Sequence, residues 1–376
     1  MDRFRVGVDF HTFDGIYQGS RSHILGLFKE AVVLAPEIEF VFFLNSTERL
    51  LSEYPEFNNP NVTLICMPSR PSLWRLAVQL PMLQKRHALG LLHTQYRLPF
   101  LPLGPCACTI HDVLFESHPE YFSKFFTWQS KLSFRIAAYF STLLFTVSDY
   151  SKQQIVQRYS VDPEKIQVVY NGVDFSRFHP GDLGRERLAE VGLQSRDYIL
   201  NVGRLEPRKN HVRLIEAYAK LEGDVPPLVC VGQRDFGYDQ ALSLVNSLGL
   251  QDRVKFLEHV DDRLLPILMR HARFFVFPAI AEGFGMPVAE ALASGVPVLT
   301  SNTTSMPEVA GAAAILVDPL DADSIARGMD QLLSDTALSQ RLVEDGLQQV
   351  QKFDWRHSAA VLVETYRSYI AQARRA

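Results

Sequence analysis

Short apolar runs alternate with stretches of helical periodicity along nearly the whole chain, and this alternation constrains the fold more than any other feature. Runs of strand length fall at 4–8, 39–44, 62–66, 91–93, 106–110 and 143–147, with helical patterns between several of them, as at 22–34 and 124–140. The series then breaks. Residues 161–180 carry one more strand at 166–170 and an Asn171-Gly172 turn signal, and a polar stretch follows through 181–187. After the break, strands are expected at 198–202, 228–231, 254–256, 274–277, 296–300 and 314–317. Such alternation predicts parallel sheets covered by helices. The repetition of the pattern predicts an α/β chain of two Rossmann-like parallel-sheet domains facing a central cleft. We expect an N-terminal domain at 1–180, a C-terminal domain at 181–355, and a final helix at 356–376 packing back toward the first. A chain of 376 residues is too long for one compact core, which fits this division.

Composition narrows the function class. At 47% apolar and 21% charged residues the composition is ordinary for a soluble globular enzyme. Its 38 basic and 42 acidic residues nearly cancel, which argues against a nucleic-acid partner. The four cysteines, Cys66, Cys106, Cys108 and Cys230, form no C-x-x-C pair and read as buried reduced thiols, consistent with a cytoplasmic setting. No signal peptide and no run long enough to span a bilayer is visible.

In open α/β sheets, ligands bind beyond the carboxyl ends of strands, so the polar residues just after each strand matter most. The loop Gly203-Arg204-Leu205-Glu206-Pro207-Arg208-Lys209-Asn210 follows the strand at 198–202. Asn210 is a good N-cap for a helix at 211–221. Arg204, Arg208 and Lys209 therefore lie near a positive helix end, where a phosphate or pyrophosphate would be welcome, although a solvated basic loop would look the same. The loop Glu282-Gly283-Phe284-Gly285-Met286-Pro287-Val288-Ala289-Glu290 follows the strand at 274–277. Pro287 suits the first helical position, Gly295 the helix exit, and Glu290 the first turn. Gly283 and Gly285 leave the backbone open to a ligand. Two carboxylates so placed could accept hydrogen bonds from sugar and ribose hydroxyls, whereas Glu290 alone could be a helix-dipole carboxylate.

Glu282 and Glu290, with seven residues between them, resemble the paired-glutamate motif of retaining GT-B glycosyltransferases of family 4. The likeness extends to Val147-Ser148-Asp149-Tyr150-Ser151-Lys152, Val169-Tyr170-Asn171-Gly172-Val173-Asp174, the Gly203–Asn210 loop and Ser301-Asn302-Thr303-Thr304-Ser305-Met306-Pro307-Glu308-Val309. It covers about 106–319 and leans toward the mannosyltransferase-like branch. The resemblance implies a hexosyltransferase that retains anomeric configuration. Its donor would be a GDP- or UDP-linked sugar, and its acceptor a glycan or lipid-linked saccharide in polysaccharide or glycoconjugate synthesis. Arg204 and Lys209 would hold the donor pyrophosphate. Glu282 would face the sugar hydroxyls at the reacting side, with the backbone of Gly283, Phe284 and Gly285 lining the same sugar. Glu290 would bind the ribose, and the strand ends near Gly232 and Val260 would approach the base.

The resemblance also assigns His111, directly after the strand at 106–110, to the donor sugar, with Asp112 orienting its loop. His93 is a second strand-end histidine, for which acceptor lining and a structural role stand level. The family carries a glycine-rich loop between the first strand and first helix. Here Asp14-Gly15-Ile16-Tyr17-Gln18-Gly19-Ser20-Arg21 lacks the usual adjacent glycine pair, and Gly19 is left to bring backbone N–H groups to the phosphate. Asp321-Ala322-Asp323 spells a D-x-D metal pattern, but a turn and N-cap explain it better. We expect no metal and no cofactor, the basic loop neutralising the leaving phosphate instead.

The competing readings are a two-domain sugar-nucleotide epimerase or phosphorylase, a dehydrogenase, and a catalytically silent sugar-binding or scaffold protein. Residues 10–20 lack the G-x-G-x-x-G that a dehydrogenase would want. The joint presence of Arg204, Lys209, Glu282 and Glu290 argues against a silent protein. The acceptor is not readable. Residues 115–140 combine aromatics with Lys124, Lys131 and Arg135, which fits either an amphipathic helix packed in the ordinary way or peripheral docking at the inner face of an anionic membrane.

Overall fold

A computed structural model describes residues 3–15 and 18–375. The chain divides into two compact units, one of residues 1–172 with 353–376 and the other of residues 173–352.

The first unit is built on a seven-stranded sheet of β1 (Phe4–Asp9), β2 (Ile38–Leu44), β3 (Val62–Cys66), β4 (Leu91–Gln95), β5 (Cys106–Thr109), β6 (Leu143–Thr146) and β7 (Ile166–Val168), in the order β3-β2-β1-β4-β5-β6-β7. Every pairing is parallel. The inner strands are buried because helices cover both faces: β4 and β5 are buried throughout, while edge strand β3 is only half-buried and ends on an exposed Cys66. The expectation of four buried thiols thus fails at Cys66, whose strand has no neighbour beyond it. The helix Trp355–Ala373 packs on this unit against the helix Gln18–Leu34. Its first residue, Trp355, is seated on two glycines. A Cβ at Gly26 would lie 2.3 Å from the Trp355 ring, and one at Gly172 would lie 2.5 Å from its backbone nitrogen. Asn171-Gly172 is therefore not the turn its sequence suggests. Asn171 is buried and its Oδ1 accepts from His23 Nδ1 at 2.8 Å, so a close-packed junction consumes both residues.

The helix Lys124–Phe140, bounded as its periodicity predicts, meets its sheet through Ser130, Phe134, Ala137 and Ala138 and turns most of its aromatic residues outward. Ser123 caps it, accepting from Phe126 N–H at 3.2 Å.

The second unit holds β8 (Ile199–Val202), β9 (Leu228–Val231), β10 (Val254–Leu257), β11 (Phe274–Phe277), β12 (Val298–Ser301) and β13 (Ile315–Val317), in the order β10-β9-β8-β11-β12-β13. These pairings are also all parallel. The division after Gly172 falls earlier than the expected 180. Residues 173–180 are tied to the second unit: Arg270 donates to Arg177 O at 3.0 Å, and Gly295 lies so close to Pro180 that a Cβ would meet it at 3.0 Å.

In both sheets the chain reverses its direction of growth once, between β1 and β4 and between β8 and β11. Such switch points open a crevice at the strand ends, because the two following loops diverge to opposite faces.

Candidate functional site

In the second unit, the two loops singled out by sequence leave the two strands that flank the switch point. Gly203 follows β8, and its N–H donates to Val231 O at 2.9 Å. A short 3-10 turn at Pro207–Lys209 then delivers two cations. The loop after β11 brings in Glu282. Arg208 Nη1 donates to Glu282 Oε1 at 2.8 Å and to Ala281 O at 3.1 Å, while its Nη2 pairs with Glu206 at 2.6 Å. Lys209 Nζ donates to the same Glu282 oxygen and sits 5.0 Å from the centre of the Phe277 ring. Both Lys209 and Glu282 are buried.

Burial raises the Glu282 carboxyl, but Arg208 and Lys209 together outweigh it and hold the group below the ordinary glutamate range. Burial lowers the Lys209 ammonium, and Glu282 only partly offsets this. With two cations on one of its oxygens, Glu282 is the partner whose charge the geometry secures.

The Glu282 loop is braced by the loop after β12. Thr300 Oγ1 donates to Phe277 O at 2.8 Å, Ser301 Oγ to Ala279 O at 2.5 Å and Thr303 Oγ1 to Ile280 O at 3.3 Å. Thr304 Oγ1 accepts from Glu282 N–H at 3.3 Å, and Ser305 Oγ reaches Glu282 O and Phe284 O at 2.9 and 3.0 Å. The run of hydroxyls at 300–305 is thus a scaffold that pins the backbone of 277–284. Gly285 ends the loop with φ of +96°, and a Cβ there would lie 2.2 Å from Met306 Cε. Only glycine meets both demands. A second close approach joins the loops after β8 and β9, where a Cβ on Gly232 would lie 1.9 Å from Gly203 O.

Three details depart from expectation. Asn210 stands at the N-cap position of the helix His211–Ala219 but caps nothing. Its φ is +67°, and its amide donates instead to Pro278 O at 2.9 Å and Pro319 O at 2.6 Å, tying the ends of β11 and β13 to this helix. Pro287 is the second residue of the helix Met286–Ala293, which places Glu290 beyond the first turn. Burial there raises the Glu290 carboxyl to about 8; Arg177 pulls the other way, and Asp262 adds to the rise.

Arg204 does not join the Glu282 cluster. Its half-exposed guanidinium pairs with Asp235 at 2.8 Å. Val260 lies in the loop after β10, half-buried. Asp321 caps the helix Ala322–Ser334, accepting from Asp323 N–H at 2.8 Å, and Asp323 pairs with Lys220, so the D-x-D run is engaged in helix capping and a surface ion pair.

In the first unit, His111 follows β5 and is buried in an aromatic nest. Its Nε2 lies 2.8 Å from Gln95 Oε1, the Tyr96 ring stacks on it at 4.9 Å, and the His23 ring meets it edge-on at 4.5 Å. Tyr96 in turn shares a 2.5 Å hydrogen bond with Ser20. Gly19 sits beside Ser20 in the first turn of the helix Gln18–Leu34 rather than in a loop, exposed and with open space where a Cβ would stand. Ile16 and Tyr17 of that motif lie outside the described residues. The fold therefore draws His111 and the start of this helix together, through Ser20, His23, Gln95 and Tyr96. Sequence reading touched only Ser20 among these four, as a member of the 14–21 motif, because their meeting depends on β1 and β4 being neighbours. Asp112 Oδ1 accepts from Leu114 N–H at 3.1 Å and shapes the loop.

His93 resolves to a structural role: its Nδ1 meets Tyr366 Oη, its Nε2 meets Thr109 Oγ1 at 2.8 Å, and its ring stacks on Phe145. Burial pushes His93 down to about 3, His23 to about 4, and His111 well below the usual range, so all three are neutral at physiological pH. Another cluster unannounced by sequence lies at the end of β1, where buried Asp9 pairs with Arg75 and, at 3.0 Å, with His11.

Known proteins share this architecture. Residues 186–349 match the family of glycosyl transferases group 1, and residues 31–177 match glycosyltransferase family 4. The O-antigen chain mannosyltransferase B of Escherichia coli is 32% identical over 279 residues, covering 71% of this chain and 72% of that protein. The D-inositol 3-phosphate glycosyltransferase of Rhodococcus jostii is 32% identical over 226 residues, 57% of this chain and 50% of that protein. Among solved structures, Anabaena Alr3699/HepE in complex with UDP and glucose superposes with a TM-score of 0.76 at 21% identity, covering 97% of this chain and all of that one.

Proposed function

The chain belongs to glycosyltransferase family 4, the glycosyl transferases of group 1, and as a glycosyltransferase of that family we propose that it moves a hexose from a nucleoside diphosphate sugar to a saccharide acceptor with retention of configuration. The observation that carries this reading is the convergence of Arg208 and Lys209 on one oxygen of buried Glu282 at the β8/β11 switch point. Breaking the glycosidic bond of such a donor leaves a diphosphate that gains negative charge. Preorganised cations in a dry site stabilise that charge most effectively. Lys209 and Arg208 stand ready for the diphosphate, and Arg204, on the exposed side, can extend the same field. Because these side chains supply the neutralising charge, the proposal includes no metal and no cofactor.

Glu282, held ionised, accepts hydrogen bonds from the sugar hydroxyls, and the backbone of Gly283, Phe284 and Gly285 lines the same group. Glu290, with its raised carboxyl, faces the ribose. The departing phosphate takes the acceptor's proton on the face it leaves, so no second carboxylate is needed to flank the bond. His111, neutral and fixed by Gln95 and Tyr96, is assigned to the donor sugar, and the helix start at Gly19 to the phosphate.

Mannose is favoured as the transferred sugar by the likeness to the O-antigen chain mannosyltransferase, with GDP-mannose as its donor. UDP-glucose and UDP-N-acetylglucosamine are the competing donors. The acceptor is a glycan or a saccharide carried on lipid, met at a membrane surface by a chain in which no helix among the described residues is long and apolar enough to cross a membrane. Thermal unfolding with GDP-mannose, UDP-glucose and UDP-N-acetylglucosamine tests the reading. One donor raises the midpoint by mass action and loses that effect in Lys209→Ala. Stabilisation by none of the three, together with no donor hydrolysis, would remove the proposal.

A further inference from the structure

His111 is held on three sides. The Tyr96 ring stacks on it at 4.9 Å, the His23 ring meets it edge-on at 4.5 Å, and its Nε2 lies 2.8 Å from Gln95 Oε1. Tyr96 takes a φ of +67°, a left-handed backbone that a residue with a side chain adopts only at a cost. Such a conformation persists where the surrounding structure over-determines it, and it clusters at ligand sites. Here it turns the chain directly after β4 and lays the Tyr96 ring on the imidazole.

Gln95 is engaged at both ends of its amide. Its Nε2 donates to Thr12 Oγ1 at 3.0 Å, which leaves Oε1 facing His111. Both residues are buried, Gln95 at the end of β4 and Thr12 in the short helix His11–Asp14 that follows β1. A carbonyl oxygen only accepts, so His111 Nε2 carries the hydrogen. The ring is neutral: burial disfavours its charged form, and the titratable groups against it, His23, His93 and Tyr96, bring no carboxylate to oppose that. A neutral imidazole has one N–H, so Nδ1 is left with a bare lone pair.

That lone pair is available. Nδ1 has no hydrogen-bond partner among the described residues, yet it is not sealed from solvent as Nε2 of His211 and Nε2 of His271 are. His93, on the neighbouring strand, differs in having both nitrogens engaged. Buried polar groups are hydrogen-bonded as a rule, so a nearly buried acceptor left open asks for a donor from outside the chain.

We propose that Gln95, braced by Thr12, is a positioning residue that fixes His111 as the Nε2–H tautomer, and that Nδ1 thereby selects a donor sugar presenting a hydroxyl hydrogen to it. The proposal rests on the assignment of His111 to the donor sugar and names what that residue demands of it. A hydroxyl can donate to the lone pair. An ether oxygen, a carboxylate or a deoxygenated carbon cannot. A site built to hydrogen-bond a hydroxyl rejects the analogue lacking it, because its own polar group is then left unpaired.

Two measurements test it. Long-range proton–nitrogen correlation spectra of the full chain, labelled with nitrogen-15 histidine, read the tautomer directly, the His111 signals being identified by their loss in His111→Asn. The wild type shows Nε2 protonated and Nδ1 bare at neutral pH; a protonated Nδ1 overturns the proposal. In the same spectra Thr12→Val releases Gln95 and lets the Nδ1–H form appear, and an unchanged single tautomer there overturns the bracing role. The second measurement uses Gln95→Glu, whose carboxylate holds a second proton on His111 and turns Nδ1 into a donor. His111 then titrates between about pH 5 and 8. The sugar nucleotide is whichever of GDP-mannose, UDP-glucose and UDP-N-acetylglucosamine the wild type binds. Its affinity for Gln95→Glu, read by calorimetry, falls roughly tenfold or more as pH drops through that range and returns as pH rises. Affinity for the matching free nucleoside diphosphate shows no such step, and neither does the wild type with either ligand. A loss that is equal at every pH, or equal with and without the sugar, is what disturbed packing would give and overturns the proposal. Should Gln95→Glu fail to fold, the wild-type spectrum still decides the tautomer. The Nε2–H tautomer in a chain that binds none of the three sugar nucleotides would instead remove the donor reading and leave the tautomer in place.

Discussion

Lys209 and Glu282, 73 positions apart in sequence, form a buried ion pair between the loops that leave β8 and β11, the two strands on either side of the second sheet's switch point. Arg208 shares the same carboxylate oxygen. The pair has two roles to test, because removing either partner strands a buried charge as well as taking away a group proposed to meet the donor.

Glu282→Gln is expected to lower kcat at least a hundredfold, the scale of losing one preorganised charge contact. It also leaves Lys209 and Arg208 facing an uncharged amide in a buried site. Breaking a buried pair costs about 3–5 kcal/mol, lessened here because Arg208 keeps Glu206 as a partner. Steady-state kinetics and urea unfolding on the same preparation separate the two effects. Wild-type kcat in a folded Glu282→Gln protein would remove Glu282 from the mechanism.

Glu290 makes stability depend on pH in the alkaline direction. Its carboxyl is raised in the folded chain from an ordinary 4.5 to about 8, so the unfolded chain gives up its proton first. The stability from the protonated folded form is complete below pH 4.5 and is lost as pH rises through about 8. The loss is at most about 1.4 kcal/mol per pH unit crossed, and less where solvent reaches the group. Glu290→Gln should flatten that slope in urea unfolding across this window; an unchanged slope would place the titration elsewhere.

The histidines act in the opposite sense. His23 and His93 are lowered to about 4 and about 3, and His111 lies well below the usual range, all by burial first. Their stability contribution is present above the unfolded value of 6.5 and is lost as pH falls toward 4. Hydrogen exchange should therefore show β4 and β5 losing protection on acidification before β9 and β11 do. Equal loss across both sheets would contradict it.

Gly285→Ala is expected to cost about 1–3 kcal/mol from the left-handed backbone alone, with the Met306 contact added to it. Met306→Ala in the same chain relieves the contact but not the backbone, so stability should return only in part. Full recovery would show that packing alone requires the glycine.

Transfer should persist after exhaustive treatment with a chelator, since Arg208 and Lys209 are assigned the charge-neutralising role. Activity lost to the chelator and restored by added magnesium or manganese would overturn that assignment.

Much of the fold was legible because parallel strands covered on both faces are continuous apolar runs. Phe274–Phe277 and Leu228–Val231 show this directly: each is buried throughout and bounded as the sequence suggested. Strand ends were legible for the same reason, and with them the loops that hold Lys209 and Glu282. Their roles toward a donor rest on resemblance and on charge, and the experiments above decide them.

What sequence alone determined was local: the alternation of strand and helix, the residues at each strand end, and the capping by Asp321. Strand order, the switch points, and which strand-end residues meet were decided by tertiary structure, because parallel neighbours are joined through long crossovers that leave no local signature. Arg208 looked like one more loop cation until the loop after β11 brought Glu282 to it. Asn171 looked like a turn and Asn210 like a cap until His23, Pro278 and Pro319 supplied partners from distant positions. The aromatic helix at 124–140 was ambiguous for the same reason. Its periodicity was plain, but which face the sheet would cover depended on Ser130, Ala137 and Ala138 being small enough to pack closely, and that left Phe125, Trp128 and Phe140 in solvent.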